Sequence, residues 1–133
     1  MPNWCMNQLE IETVDDKDRQ ELYRFVRDCF TDEQLDFEKV IPYPEGTPSE
    51  EDIEMSDWYQ TTGYDWCCQN WGTKWNATYF QPSFEYDNDS VFTVFYTAWG
   101  PPEGIHEKIK EMLPNCAIAW FFQEDGMRIS GWL

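Results

Sequence analysis

His106 is the only histidine in this 133-residue chain, so any Ser-His-Asp or Cys-His arrangement would have to use it. It stands two residues after Gly104, in the first turn of a helix opened by Pro101 and Pro102. Nothing around it suggests a triad, and it is expected to face solvent. A single histidine also excludes a histidine-built metal site. Asp87-Asn88-Asp89 begins like a calcium loop, but the glycine and glutamate such a loop requires are here Phe92 and Ala98, so a turn is expected. Cys67-Cys68 would bridge only through a strained ring, with no basic neighbour to lower a thiol pKa; packing beneath the tryptophans fits better. No catalytic residue, metal or cofactor is therefore expected, and the chain is read as a binding protein rather than an enzyme.

The composition points the same way. Nine basic residues face twenty-six acidic ones, a formal charge of −17 that repels free nucleic acid and attracts basic surfaces. Five cysteines, an odd number without a C-x-x-C, form neither a disulfide framework nor a zinc site. Met1–Thr13 has no basic n-region or apolar h-region, and no run is long enough to span a membrane. A reducing, cytoplasmic setting is expected.

The residues must be carried by elements, and these read as a single α+β domain over 1–133. Asn7–Thr13 alternates like a half-buried strand, with Leu9 and Ile11 on one face. Asp15 and Asp16 supply N-cap chemistry for a helix to about Phe30, whose stripe is Leu22, Phe25, Val26, Cys29 and Phe30. Asp36–Ile41 reads as a second strand ended by Pro42 and Pro44. A loop insertion follows at about 43–64, with an expected short helix near Ser49–Trp58. From Lys39 to Lys74 there is no basic residue but seven carboxylates. Lys74–Phe80, Ser83–Asp87 and Val91–Ala98 read as β, Pro101–Leu113 as a helix, and Ala117–Gln123 and Met127–Trp132 as a hairpin turned at Asp125-Gly126. The order predicts a ferredoxin-like split β-α-β layout: an antiparallel sheet with two helices on one face and the acidic insertion after the second strand.

Asn70-Trp71-Gly72-Thr73-Lys74-Trp75, the opening Met1-Pro2-Asn3-Trp4-Cys5-Met6-Asn7 and the later Phe95-Tyr96-Thr97-Ala98-Trp99-Gly100-Pro101-Pro102 form three blocks. Together with Val40-Ile41-Pro42-Tyr43-Pro44, Glu124-Asp125-Gly126 and Gly131, they resemble the YubB-type ferredoxin-like domain family of phages and plasmids. The resemblance covers nearly the whole chain and implies the same fold; the family brings no assigned activity. Asn70, Trp71, Gly72, Thr73, Lys74 and Trp75 are read as structural, with Trp71 and Trp75 in the core, Gly72 in a tight turn and Lys74 beside a carboxylate.

Tyr79, Phe92, Phe95, Trp99, Trp120 and Phe121 would supply a base-stacking platform on such a sheet, but the basic surround that neutralises phosphate is missing. Direct nucleic-acid binding is not expected. The acidic surface is the better lead. It suits a DNA mimic that occupies a basic groove, an inhibitor of a host defence nuclease or nucleic-acid-binding complex of the anti-CRISPR or anti-restriction type, as mobile elements often encode. The expected partner-binding carboxylates are Glu45, Glu50, Glu51, Asp52, Glu54 and Asp57 of the insertion, extended by Asp32, Glu33, Asp36 and Glu38. Two rival readings are an enzyme acting on a nucleotide or other small molecule, and a phage assembly protein whose last strand pairs with a second copy in a homodimer.

Overall fold

The computed structural model describes residues 3–44 and 63–133. Its centre is a five-stranded antiparallel sheet in the order β4-β5-β1-β6-β7, from β1 (Trp4–Glu12), β4 (Phe84–Asp87), β5 (Ser90–Ala98), β6 (Ala117–Glu124) and β7 (Ile129–Trp132). β2 (Phe30–Thr31) and β3 (Gln34–Leu35) form a separate small hairpin. The described helices are α1 (Asp16–Cys29), α2 (Phe37–Val40), α3 (Tyr64–Asn70) and α4 (Glu103–Met112). The fold is thus α+β; among the described residues, α2 and α3 are short helices beyond those expected there from the sequence.

Strand parity decides which residues enter the core. Leu9 lies between Thr93 and Trp120, and Ile11 between Val91 and Ile118, on the face the helices cover. Leu22, Phe25 and Cys29 of α1, and Ile105 and Ile109 of α4, close over that face with Phe95 and Trp120, all at most 2% exposed. Each such side chain contributes roughly 1.5–3 kcal/mol of burial. α1 begins where expected: Asp15 accepts from the Asp18 N–H at 3.0 Å, and buried Asp18 reaches back to the Val14 N–H at 3.3 Å.

Two expected elements differ, and one element was not expected. Asp36–Ile41 is not a strand but the turn of helix α2, because Asp36 caps the Glu38 N–H at 3.0 Å and Asn76 Oδ1 accepts the Phe37 N–H at 2.9 Å. Phe37 and Val40, three apart, are the buried pair, and so short a segment cannot distinguish the two periods by pattern. Lys74–Phe80 is irregular apart from one bridge, Thr78 to Tyr96. Asn76 again intervenes, its side chain accepting the Ala77 N–H at 2.8 Å. α3 is a helix where the sequence reading assigned no element. The acidic insertion, including the helix expected near Ser49–Trp58, falls almost wholly at 45–62, outside the described residues.

Candidate functional site

The blocks that stand out in the sequence converge at one end of the sheet. Trp71 is fully buried, with Nε1 donating to Ile41 O at 2.9 Å and its ring stacked on Tyr43 at 5.3 Å. α3 ends there as Gly72 turns left-handed at φ +87. The Trp71 carbonyl then accepts the Gly104 and Ile105 N–H groups at 3.1 and 3.3 Å, satisfying two free donors at the start of α4. The approach is backbone on backbone: a Cβ at Gly104 would lie 2.0 Å from Asn70 O. Thr73 Oγ1 donates to Ala98 O at 2.9 Å, and the Trp99 N–H, at φ +72, donates to Asn3 O at 2.8 Å. One expectation for this stretch is corrected. Trp75 is only half-buried, because it packs at the margin, 6.0 Å from Trp4, while the Lys74 ammonium lies 4.3 Å from the Trp75 ring centre.

His106 does not face solvent. It is 6% exposed and packs edge-on to Trp120 of β6 at 5.4 Å. Burial, then Lys110, holds its pKa below the ordinary value of 6.5. The thiols are also held in their neutral form: burial pushes Cys5, Cys29 and the half-buried Cys116 up to about 11 and Cys67 to about 12. Cys67 enters the core beside Trp71, whereas Cys68 is exposed. Among the described residues no group of three His, Cys, Asp or Glu side chains is placed to hold a metal ion, and no helix is long and apolar enough to cross a membrane.

The aromatic platform keeps Phe92 and Phe121 of the residues expected, but not Tyr79, Phe95 or Trp120. Tyr79, Phe95 and Trp120 belong to the covered side; Tyr79, for one, bonds Thr93 Oγ1 at 2.7 Å. The choice of Phe92 with Phe95 mixed two parities, and residues three apart on a strand point to opposite faces. Register puts Phe92, Val94 and Tyr96 of β5, Met6, Gln8 and Glu10 of β1, and Phe121 of β6 on the open face. Trp132 joins them, 5.3 Å from Phe121 and 69% exposed, and Phe80 packs over Tyr96 at 4.9 Å.

At the β4 edge this face runs into an open trough of about 710 Å³ lined by Glu10, Glu33, Glu85, Asp87 and Phe92, among others. Of these only Glu33 is among the carboxylates expected from the sequence. Glu10 and Glu85 sit directly opposite Phe92 on its two neighbouring strands, a relation that requires the register and not only the sequence. Asp32 and Glu33 form the β2–β3 turn, at φ 51 and 64. Asp36 is committed to structure, accepting from Asn76 Nδ2 at 3.0 Å as well as capping α2. Glu38 lies in the first turn of α2, half-buried. Glu45, Glu50, Glu51, Asp52, Glu54 and Asp57 lie outside the described residues. The cationic counterpart, a groove of about 390 Å³ with Arg19, Arg24 and Arg27 of α1, is partly neutralised within the chain: Arg19 pairs with Asp16 and Asp89, and Arg27 with Asp28.

Compared with protein-family models, curated proteins and solved structures, the chain matches none of them.

Proposed function

We propose that this is an acidic binding protein that occupies a basic surface of its partner, in the manner of a DNA-mimicking inhibitor of a nuclease or other nucleic-acid-binding complex. The observation that carries the reading is the trough at the β4 edge, where four carboxylates from β1, the β2–β3 turn and β4 line one open depression on a chain of net charge −17. Desolvating an opposed basic surface there gains attraction over several charges at once, and steering raises the association rate at low salt. The insertion carboxylates Glu50, Glu51 and Asp52, outside the described residues, are proposed as further partner-binding groups.

The finer fold reading belongs with this proposal. Among the sheet strands, β1 and β4 flank β5, with α1 following β1 and α4 leading from β5 to β6; that order supports a ferredoxin-like split β-α-β core to which β7 adds an outer strand. Convergence of the three sequence blocks at one end of the sheet supports treating them as one unit, and with it the YubB-type resemblance and a phage or plasmid source. A host bacterial cytoplasm is the matching compartment.

The test is affinity capture from bacterial lysate at low and high salt, with mass spectrometry of what is retained. A basic nuclease or defence complex held at low salt and released at high salt is the expected result. Reversing Glu50, Glu51 and Asp52 together should abolish that capture while leaving the domain folded. Unchanged capture would remove the insertion from the surface, and retention of no basic partner would sink the reading.

A second reading, self-assembly, is favoured by one observation: β7 is an outer strand whose Ile129 and Trp132 are 47% and 69% exposed, with Met127 of the turn before it 65% exposed. It predicts a concentration-dependent dimer in sedimentation.

A further inference from the structure

We infer that the open face of the central sheet is a docking surface for an arginine-bearing segment of a basic partner, with guanidinium groups stacked on its aromatic rings. This rests on the acidic-binding reading and names the surface and the chemistry that would carry it. The helices close one face of the sheet; among the described residues Phe80 and Trp75 fold across the margin of the opposite face, against Tyr96 and Trp4. That face presents Met6, Phe92, Val94, Tyr96, Phe121 and Trp132, with Gln8 of β1 between Val94 and Phe121. Large aromatics left partly open on three strands of one sheet are not needed for the core, which Phe95, Trp120 and the helices already fill.

Charge complementarity selects the occupant. Exposed Glu10, Glu12 and Glu85 surround the rings, and the cross-strand register sets Glu85 and Glu10 on either side of Phe92. Directly opposed side chains in a sheet lie about 5 Å apart. The Phe92 ring therefore has a carboxylate at each flank. The carboxylates of Glu10 and Glu85 accept no hydrogen bond and join no ion pair within the described chain.

An aromatic face between two carboxylates meets both demands of a guanidinium. Its plane stacks on the ring while its N–H groups fork to the acids. A nucleobase would find the stacking surface but carry its phosphates into the acidic rim. A lysine ammonium would find the charge but lose the planar fit. Arginine is the one common side chain for which both halves of the site act together.

The experiment uses the full chain and two probes, fluorescein-labelled oligo-arginine and oligo-lysine peptides of equal length, followed by anisotropy at about 0.15 M salt. The expected result is oligo-arginine binding about tenfold tighter than oligo-lysine, with amide chemical-shift changes concentrated on β1 and β5. Phe92→Thr should bring the two peptides to equal affinity, and Glu10→Gln with Glu85→Gln should weaken both. Shift mapping on the unmutated chain decides the matter if the Phe92 variant does not fold. Equal affinities with no shifts on β1 and β5 would overturn the docking face while leaving the acidic-binding reading standing. Failure of both peptides to bind would overturn that reading as well.

Discussion

The indole Nε1 of Trp120 donates to Asn7 Oδ1 at 3.0 Å, joining residues 113 positions apart at the centre of the sheet. Asn7 Nδ2 in turn donates to Thr97 Oγ1 at 3.0 Å and Cys5 O at 3.1 Å, and Thr97 Oγ1 donates to Gly100 O at 2.6 Å. One fully buried amide therefore satisfies polar groups on three adjacent strands. Replacing Asn7 with Leu strands the indole N–H in the core and should cost about 2–4 kcal/mol in urea unfolding. Trp120→Phe in the same background should recover part of that loss, because it removes the stranded donor. Simple additivity of the two substitutions would show that the bond does not couple them.

Gly104 and Gly100 make a matched pair for testing the α3–α4 contact. A Cβ at Gly104 meets Asn70 O at 2.0 Å, whereas one at Gly100 meets nothing within 4 Å. Gly104→Ala should therefore force the two helix ends apart and lose at least about 3 kcal/mol. Gly100→Ala should stay within about 0.5 kcal/mol of the parent chain. Thermal melts of both variants check the contrast; equal midpoints would mean that the helix ends yield without cost.

The sequence was most legible where pattern and chemistry coincide over a long run. The α1 stripe with its Asp15 cap, and alternation along β1, placed Leu9, Ile11, Leu22 and Phe25 correctly in the core. It was least legible where one distant side chain overrides local preference. Asn76 holds the start of α2, and nothing within Asp36–Ile41 announces a residue some forty positions away; within Lys74–Phe80 the same side chain turns back on the Ala77 N–H. The candidate surface suffered the same limit. Aromatic residues could be counted in the sequence, but only the register of β4, β5 and β1 sets Phe92 between Glu85 and Glu10. His106 was misassigned because a flanking position on α4 becomes an inner one once Trp120 rises to meet it.

The acidic residues of the β2–α2 region should separate into two kinds. Asp32 and Glu33 hold left-handed backbone in a two-residue turn, a conformation that costs non-glycine residues about 1 kcal/mol each. Changing them to Asn and Gly should raise the melting temperature while removing two charges. Asp36→Ala should lower it by the equivalent of about 1–2 kcal/mol, because it removes both the α2 cap and the bond to Asn76. Melts of the two variants settle the division; a stable Asp36→Ala chain would return Asp36 to the free acidic surface.

Burial of His106 gives stability a pH dependence whose sign follows from where the proton binds more readily. Its folded pKa lies below 6.5, through burial first and the Lys110 charge second, with Glu107 and Glu103 pulling weakly the other way. The unfolded chain thus takes up the proton first as pH falls. The stabilising effect of the neutral imidazole is complete above 6.5 and is lost as pH drops towards and through the folded value. Carboxylates whose pKa is lowered, such as Asp28 and Asp87, act in a separate window, starting from their ordinary 3.8 and falling below it. Melting temperature measured from about pH 8 down to about pH 5 should therefore decline in the parent chain and run flatter in His106→Gln. Gln lowers the absolute stability by disturbing the Trp120 contact, so the slope is the quantity to compare. Parallel slopes would show that the imidazole titrates alike in both states and that its contact with Trp120 opens readily to solvent.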